Sequence, residues 1–383
     1  MLSAAAELML AALPEVPGPT LLWDADEVHL AREVNRRRPG ELLVVEDRLD
    51  ALEHYRTDPL TGEETGLRTL HAAFPPGERY ASILLAMQRD RELARLQLDW
   101  AAEHLSPDGV LLFAGANREG IKGHRKALKG LFGSIEAEMG GHSRVWICRE
   151  PTQVEADYQP EAAYELDGLG AIYTLPGVFG HRGLDRGSEA LLALLPGDWE
   201  GWRVCDLGCG GGVLALKAAV GGAADVDALD HSARALACAR ATLAGLENVT
   251  IDAWRLNREL PRGYDAVLCN PPFHSSGSHA VNLISRFVET ARASLVEGGE
   301  LWLVTRRELP VERLLGEGFS HYDLVDAVEG YMVVRAVAGD LEAAAEDPFA
   351  TEEDELSVEP PVEEDGQSFG ESCFQDRPDS ETP

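Results

Sequence analysis

Residues 264 to 277 read YDAVLCNPPFHSSG, a short apolar run that meets Asn270, Pro271, Pro272 and Phe273. Neither a continuing strand nor a helix tolerates two successive prolines, so the segment is a loop of fixed shape, and its residue types suit one kind of chemistry. An amide or exocyclic amino nitrogen is a poor nucleophile because its lone pair is delocalised. A site that accepts both N–H hydrogens turns that lone pair towards an electrophile, a contribution of positioning and electrostatics. The Asn270 side-chain oxygen and the Pro271 backbone carbonyl are the two acceptors. Proline fixes its own φ and restricts the residue before it, which holds both in place. Phe273 offers a flat face for a base to stack on. No strong general base is required, because the alkylated nitrogen becomes acidic.

A second stretch, WRVCDLGCGGGVLAL from Trp202 to Leu216, reads as a strand, a glycine-rich turn and the start of a helix. The next strand, in DVDALDHSARAL, ends at Asp230. A glycine turn followed by an acid at the end of the next strand is common to dinucleotide sites and S-adenosylmethionine sites, where the acid accepts from a ribose diol. The alternative for Asp230 is to cap the helix that begins in HSARAL. The Asn-Pro-Pro-Phe loop separates the two ligand classes: hydride transfer has no use for it, whereas methyl transfer to a planar amino group does.

These residues need strands that bring them to one edge. Strands alternating with helices, including a helix from about Val281 to Leu295 and the strand GELWLVT, predict an open, mostly parallel α/β sheet. The first half repeats the order: an offset of 184 puts Glu46 on Asp230 and Tyr80 on Tyr264, and it grows to 190 where Leu105 meets Leu295. Six extra residues therefore fall at or just after residues 270–273. The same offset puts Asp24, Asp26 and Val28 where Gly208, Gly210 and Gly212 stand, and Ala86-Met87-Gln88-Arg89 opposite the loop. Side chains in the turn obstruct close approach of a ligand to the backbone. The expectation is a duplicated fold, two tandem Rossmann-like domains, the first of which has lost its chemistry.

The chain has 383 residues and a formal net charge of −32. From Asp340 onward sixteen Asp/Glu stand against Arg377 alone, so the tail carries −15 and the body −17. The tail is too polar to bury a core and is expected to be disordered. Six cysteines without C-x-x-C or zinc spacing are expected as reduced thiols in a cytoplasmic protein, with no metal. The apolar start, Met1 to Leu13, contains Glu7 and reads as a short amphipathic helix rather than a signal peptide; no run is long enough to span a membrane. Despite the acidity, Arg118, Lys122, His124, Arg125, Lys126 and Lys129 cluster with only Glu119 among them. Lys122, Arg125 and Lys126 are the candidate phosphate contacts. Arg36, Arg37 and Arg38 form a smaller group, as do Arg306 and Arg307.

DLGCGGGVLAL, LDHSARAL and NPPFH together resemble class I S-adenosylmethionine-dependent methyltransferases acting on amino groups. With LPGVFGHRGLDRGSEALL before the glycine turn and GANREGIKGHRKAL closing the first half, residues 1 to 338 are similar to bacterial ribosomal RNA guanine-N2 methyltransferases of the RsmC/RlmG type. The resemblance implies S-adenosyl-L-methionine as cofactor, with Asp206, Gly208 and Gly210 at its methionine end and Asp230 at its ribose, and the target base on Asn270, Pro271 and Phe273. It implies ribosomal RNA or a ribosomal subunit, small favoured over large, as partner; the oligomeric state stays open, with a monomer favoured. Residues 1–160 are then a degenerate, RNA-docking domain, 161–339 the catalytic domain and 340–383 the tail. Two segments depart from the family: Ala253-Trp254-Arg255, where a small polar or acidic residue near the adenine is usual, and residues 305–310 at the rim of the base pocket. A protein glutamine N5-methyltransferase, a DNA adenine methyltransferase and a non-catalytic RNA-binding assembly factor are the competing readings. The intact loop weighs against the last.

Overall fold

The computed structural model describes residues 2–15, 17–57, 64–154, 156–256, 258–272, 278–315, 318–326 and 330–339. Phe273 and the acidic tail lie outside them. The first half contains α1 (Ala4–Ala12), β1 (Thr20–Trp23), α2 (Val28–Arg37), β2 (Leu42–Glu46), α3 (Leu49–Arg56), β3 (Arg68–His71), β4 (Tyr80–Ala86), α4 (Arg91–His104), β5 (Leu105–Ala116), α5 (Arg125–Leu131), β6 (Phe132–Gly140) and β7 (Ser143–Pro151). A hairpin of β8 (Glu161–Leu166) and β9 (Gly170–Thr174) follows. The second half runs α6 (Arg186–Leu194), β10 (Arg203–Leu207), α7 (Val213–Val220), β11 (Asp225–Asp230), α8 (Ala233–Thr242), β12 (Val249–Ala253), β13 (Tyr264–Cys269), α9 (Ser278–Ser294), β14 (Leu295–Arg306), α10 (Val311–Leu315), β15 (Phe319–Asp326) and β16 (Tyr331–Ala338).

The expected duplication is visible in the topology. One seven-stranded sheet has the order β3-β2-β1-β4-β5-β7-β6 and the other β12-β11-β10-β13-β14-β16-β15, the same path twice. In each, five strands pair in parallel and the last two are joined by antiparallel pairing. Both faces of each sheet are covered, so central strands are buried along their length, as in β2 and in residues 204–207 of β10. Alternate residues enter separate cores: Val204, Ala266 and Leu268 on one face of the second sheet, Cys205, Val267 and Cys269 on the other. The five described cysteines are buried free thiols. Among the described residues no helix is long and apolar enough to cross a membrane.

The six extra residues are shared between loop and helix. β13 ends at Cys269 and α9 starts at Ser278, where β4 ends at Ala86 and α4 starts at Arg91, and α9 has 17 residues against 14 in α4. α9 thus begins before the expected Val281.

The first turn has positive φ at the same positions as the second, without the glycines. Asp24 and Asp26 have φ of 46° and 48°, in the left-handed region that Gly208 and Gly210 occupy at 84° and 54°. Each such non-glycine residue costs roughly 1–2 kcal/mol, and polar contacts hold them there. Glu46 Oε1 accepts from the backbone N–H of Ala25 and Asp26 at 3.0 Å each. Gln97 Nε2 donates to Asp24 Oδ2 at 2.8 Å, and so does Arg234 Nη1, at 2.8 Å, from α8 of the second half. Arg234 Nη2 lies 2.9 Å from Asp47 Oδ2. The arginine is 5% exposed and contacts Asp24, the residue at the position that Gly208 holds in its own domain. Burial opposes its charge, and Asp24 and Asp47 outweigh that, holding the guanidinium above its ordinary range; burial in turn raises the Asp24 carboxyl. A guanidinium does not surrender its proton, so the cation is fixed.

Asp47 also crosses between halves as a helix cap. Its Oδ1 accepts from the Arg234 N–H at 2.7 Å and from Ser232 Oγ at 3.0 Å, and its carbonyl accepts from the Ala233 N–H at 2.8 Å. An apolar patch of Leu175, Val178, Ala235 and Cys238 meets Phe74 and Leu96 alongside. Arg234→Ala is expected to lower stability by about 3–5 kcal/mol, the usual cost of orphaning a buried charge, in chemical denaturation of the full chain. The loss should shrink when Asp24→Asn is added.

Candidate functional site

In the second sheet the strands β12, β11, β10 and β13 lie side by side. Trp254, Asp230, Gly208 and Asn270 each stand at or just beyond the end of one of them, in that spatial order. They line a single cavity of about 510 Å³, together with Asp206, Gly210 and Pro271. Every described candidate for cofactor or acceptor binding is therefore brought to one place.

The glycine turn is tied down from behind. The N–H groups of Gly208 and Cys209 donate to the Leu229 carbonyl at 2.8 and 2.9 Å. At Gly212 a side chain is opposed twice: φ is 83°, and a Cβ would lie 3.0 Å from Leu243, the residue that follows α8. Asp230 does not cap α8, since Ser232 does so through its own hydroxyl. Instead Asp230 Oδ2 accepts from the Gly210 N–H at 2.9 Å and Oδ1 from the Ser232 N–H at 2.8 Å, which presents the carboxylate along the cavity wall. Glu46 holds the corresponding turn in the first half.

Asp206 is 1% exposed. Its Oδ2 accepts from the Ala215 N–H at 2.9 Å, while Oδ1 is buried without a hydrogen-bond partner. Burial pushes its carboxyl up to about 7, helped by the nearby Asp230. An orphaned carboxylate oxygen in a cavity wall fits a cationic ligand group.

Asn270 is positioned by residues that the motif reading left without roles. Asp185 caps α6, accepting from the Gly187 and Ser188 N–H groups, and its Oδ1 also accepts from Asn270 Nδ2 at 3.1 Å. Asn270 Nδ2 gives its other hydrogen to Ser188 Oγ at 2.9 Å. A carboxylate only accepts, so the amide cannot be reversed, and Oδ1 is left as a buried acceptor with no partner. Gly187 makes room for this, because a Cβ there would lie 2.9 Å from Asn270 Oδ1. The sequence signal was present in LDRGSEALL, where an aspartate precedes an apolar-periodic helix, but an N-cap does not reveal what else its second lone pair binds.

Phe273 lies outside the described residues. Lys122, Arg125, Lys126 and Lys129 are exposed and lie away from the cavity lining, on α5 and the turn before it. Asp90, Glu92 and His181 come close enough for metal ligands, yet Asp90 is occupied capping α4 and Arg182 Nη2 stands 3.1 Å from Glu92 Oε1. This group joins α4 to the loop carrying Val178, Phe179 and Gly180, which line the cavity.

The methyltransferase small domain family model matches residues 170–335. The ribosomal RNA small subunit methyltransferase C of Shewanella halifaxensis is 31% identical over 297 residues, 74% of this chain and 85% of that protein. The protein of the same name from Chromohalobacter salexigens is 34% identical over 241 residues, 60% of this chain and 71% of that one. A solved T. thermophilus 16S rRNA N2 methyltransferase (RsmC), in complex with AdoMet and guanosine, shares the fold with a TM-score of 0.71 at 24% identity, covering 88% of this chain and 92% of that one. Identity sustained over 297 residues runs past the matched domain into the first sheet, as the motifs implied, and the chain belongs to the ribosomal RNA small subunit methyltransferase C family.

Proposed function

We propose that this protein moves a methyl group from S-adenosyl-L-methionine to the exocyclic N2 amino group of a guanine in small-subunit ribosomal RNA, in the cytoplasm. The observation that carries this reading is Asn270, whose amide is locked by Asp185 and Ser188 with a bare acceptor oxygen in the cavity wall. That oxygen and the Pro271 carbonyl take the two amino hydrogens and aim the nitrogen lone pair. The buried oxygen of Asp206 and the backbone of the glycine turn suit the cationic methionine end, and Asp230 the ribose. The bound cofactor supplies an electrophilic methyl group. The proton lost from nitrogen leaves to solvent or a carbonyl, so no residue needs to act as a strong base.

Residues 161–339 then form the catalytic domain, and residues 1–160 a domain that binds RNA rather than cofactor. Its turn is closed by Arg234, and its exposed cations, Lys122, Arg125 and Lys126, supply phosphate contacts to a substrate that the acidic body otherwise repels. A protein glutamine acceptor would suit the Asn270 geometry equally, and membership of an RNA methyltransferase family weighs against it.

Asn270→Ala is expected to reduce kcat on ribosomal RNA by roughly a hundredfold or more while leaving cofactor affinity intact, because the lost acceptor matters chiefly in the transition state; single-turnover kinetics with labelled cofactor measure both. Asp230→Ala should weaken S-adenosylmethionine binding by on the order of 2 kcal/mol in calorimetry. Since a cationic ligand favours ionised Asp206, affinity should rise with pH through about 7 and level off above it, and Asp206→Asn should flatten that rise. Replacing Lys122, Arg125 and Lys126 by Glu is expected to raise KM for RNA and shallow its dependence on salt, with cofactor affinity unchanged.

A further inference from the structure

The cofactor cavity has a wall from the other half of the chain. Helix α3 buries Ala51, Leu52 and Tyr55 in its own domain, and Asp50, Glu53 and His54 form its opposite face at helical spacing. All three line the cavity. The helix is clipped to the second half at its first turn: the Leu49 N–H donates to the His231 carbonyl at 2.9 Å, and Arg48 bridges Ser232. Further along, Glu53 Oε2 lies 3.6 Å from Arg255 Nη1, beyond the end of β12. The wall is thus held in register with Asp230, one residue before His231.

The order of strands says which part of a ligand meets it. With the acceptor amine at Asn270 just after β13, the methionine end at the turn after β10 and the ribose at Asp230 on β11, the cofactor's base falls beyond β11, against the end of β12. There the second half offers Ala253, Trp254 and Arg255, none with an acceptor side chain, whereas α3 offers two carboxylates and an imidazole.

We infer that Asp50, Glu53 and His54 of the first domain complete the adenosine subsite of the second, with the carboxylates of Asp50 and Glu53 accepting from the adenine amino group. The first domain is then a specificity element for the cofactor. This rests on the cofactor assignment under Proposed function. A base that presents a carbonyl in place of the amino group meets acceptors with an acceptor, so the site discriminates adenine from hypoxanthine.

The test is calorimetry on the full chain with S-adenosylhomocysteine and S-inosylhomocysteine. The unaltered protein is expected to bind the adenosyl compound more tightly. Asp50→Asn combined with Glu53→Gln should weaken that compound about fivefold, as for one net hydrogen bond, and shrink the preference between the two ligands; His54→Ala should weaken both. These side chains face the cavity rather than the core, so the melting temperature should hold, and the comparison of ligands on the unaltered protein stands without any variant. Equal affinity for the two compounds in the unaltered protein overturns the inference. So does an unchanged preference in the double variant when Asp230→Ala has lost binding, and that result leaves the cofactor site itself intact. Normal binding by Asp230→Ala overturns both the inference and the site.

Discussion

One guanidinium lies buried at the centre of the junction between the two halves of this molecule. Arg234 leaves the first turn of α8, crosses into the first domain and ends between Asp24 and Asp47, nearly out of contact with water. Two buried carboxylates would repel each other without it, and it would be an uncompensated charge without them. Asp47 accepts from the N-terminus of α8 as well, where partial positive charge collects. The position of α8 relative to the first domain is therefore over-determined, and α8 begins directly after Ser232, whose N–H Asp230 holds. The edge of the second sheet that carries the candidate site inherits its surroundings from this junction.

The residues legible in the sequence are those whose signal is local. A glycine turn, an acid about twenty residues on and Asn-Pro-Pro-Phe are short patterns with backbone causes, and Gly208, Gly210, Asp230 and Asn270 do line one cavity. The fold was legible for a related reason: an offset of 184 shared by Glu46/Asp230 and Tyr80/Tyr264 is a statement about register, and the two sheets repeat one strand order. The extra residues read as a single loop insertion because letters cannot say whether an insertion extends a connection or starts a helix early.

What escaped the sequence acts across distance. Asp185 and Asn270 are 85 residues apart, and Arg234 and Asp24 are 210 apart. No periodicity links such pairs, and each residue has a dull local explanation: a helix cap, a turn, a solvated arginine. By letters alone, Asp24 and Asp26 are obstructions in a dead turn. In the fold, Asp24 is one of the anions at the interface. Likewise only the assembled domains show that the polar face of α3 meets a cavity.

The left-handed backbone at Asp24 and Asp26 has a consequence for any change at the junction. The turn holds the φ range of its glycine-bearing counterpart with aspartates in place, so its shape depends on the contacts around it. Asp24→Gly alone would leave a buried cation short of its partner, and replacing the arginine alone would strand two anions. No single substitution among the three opens the first turn without passing through a less stable protein. The junction works as an interlock whose charges can be exchanged only together.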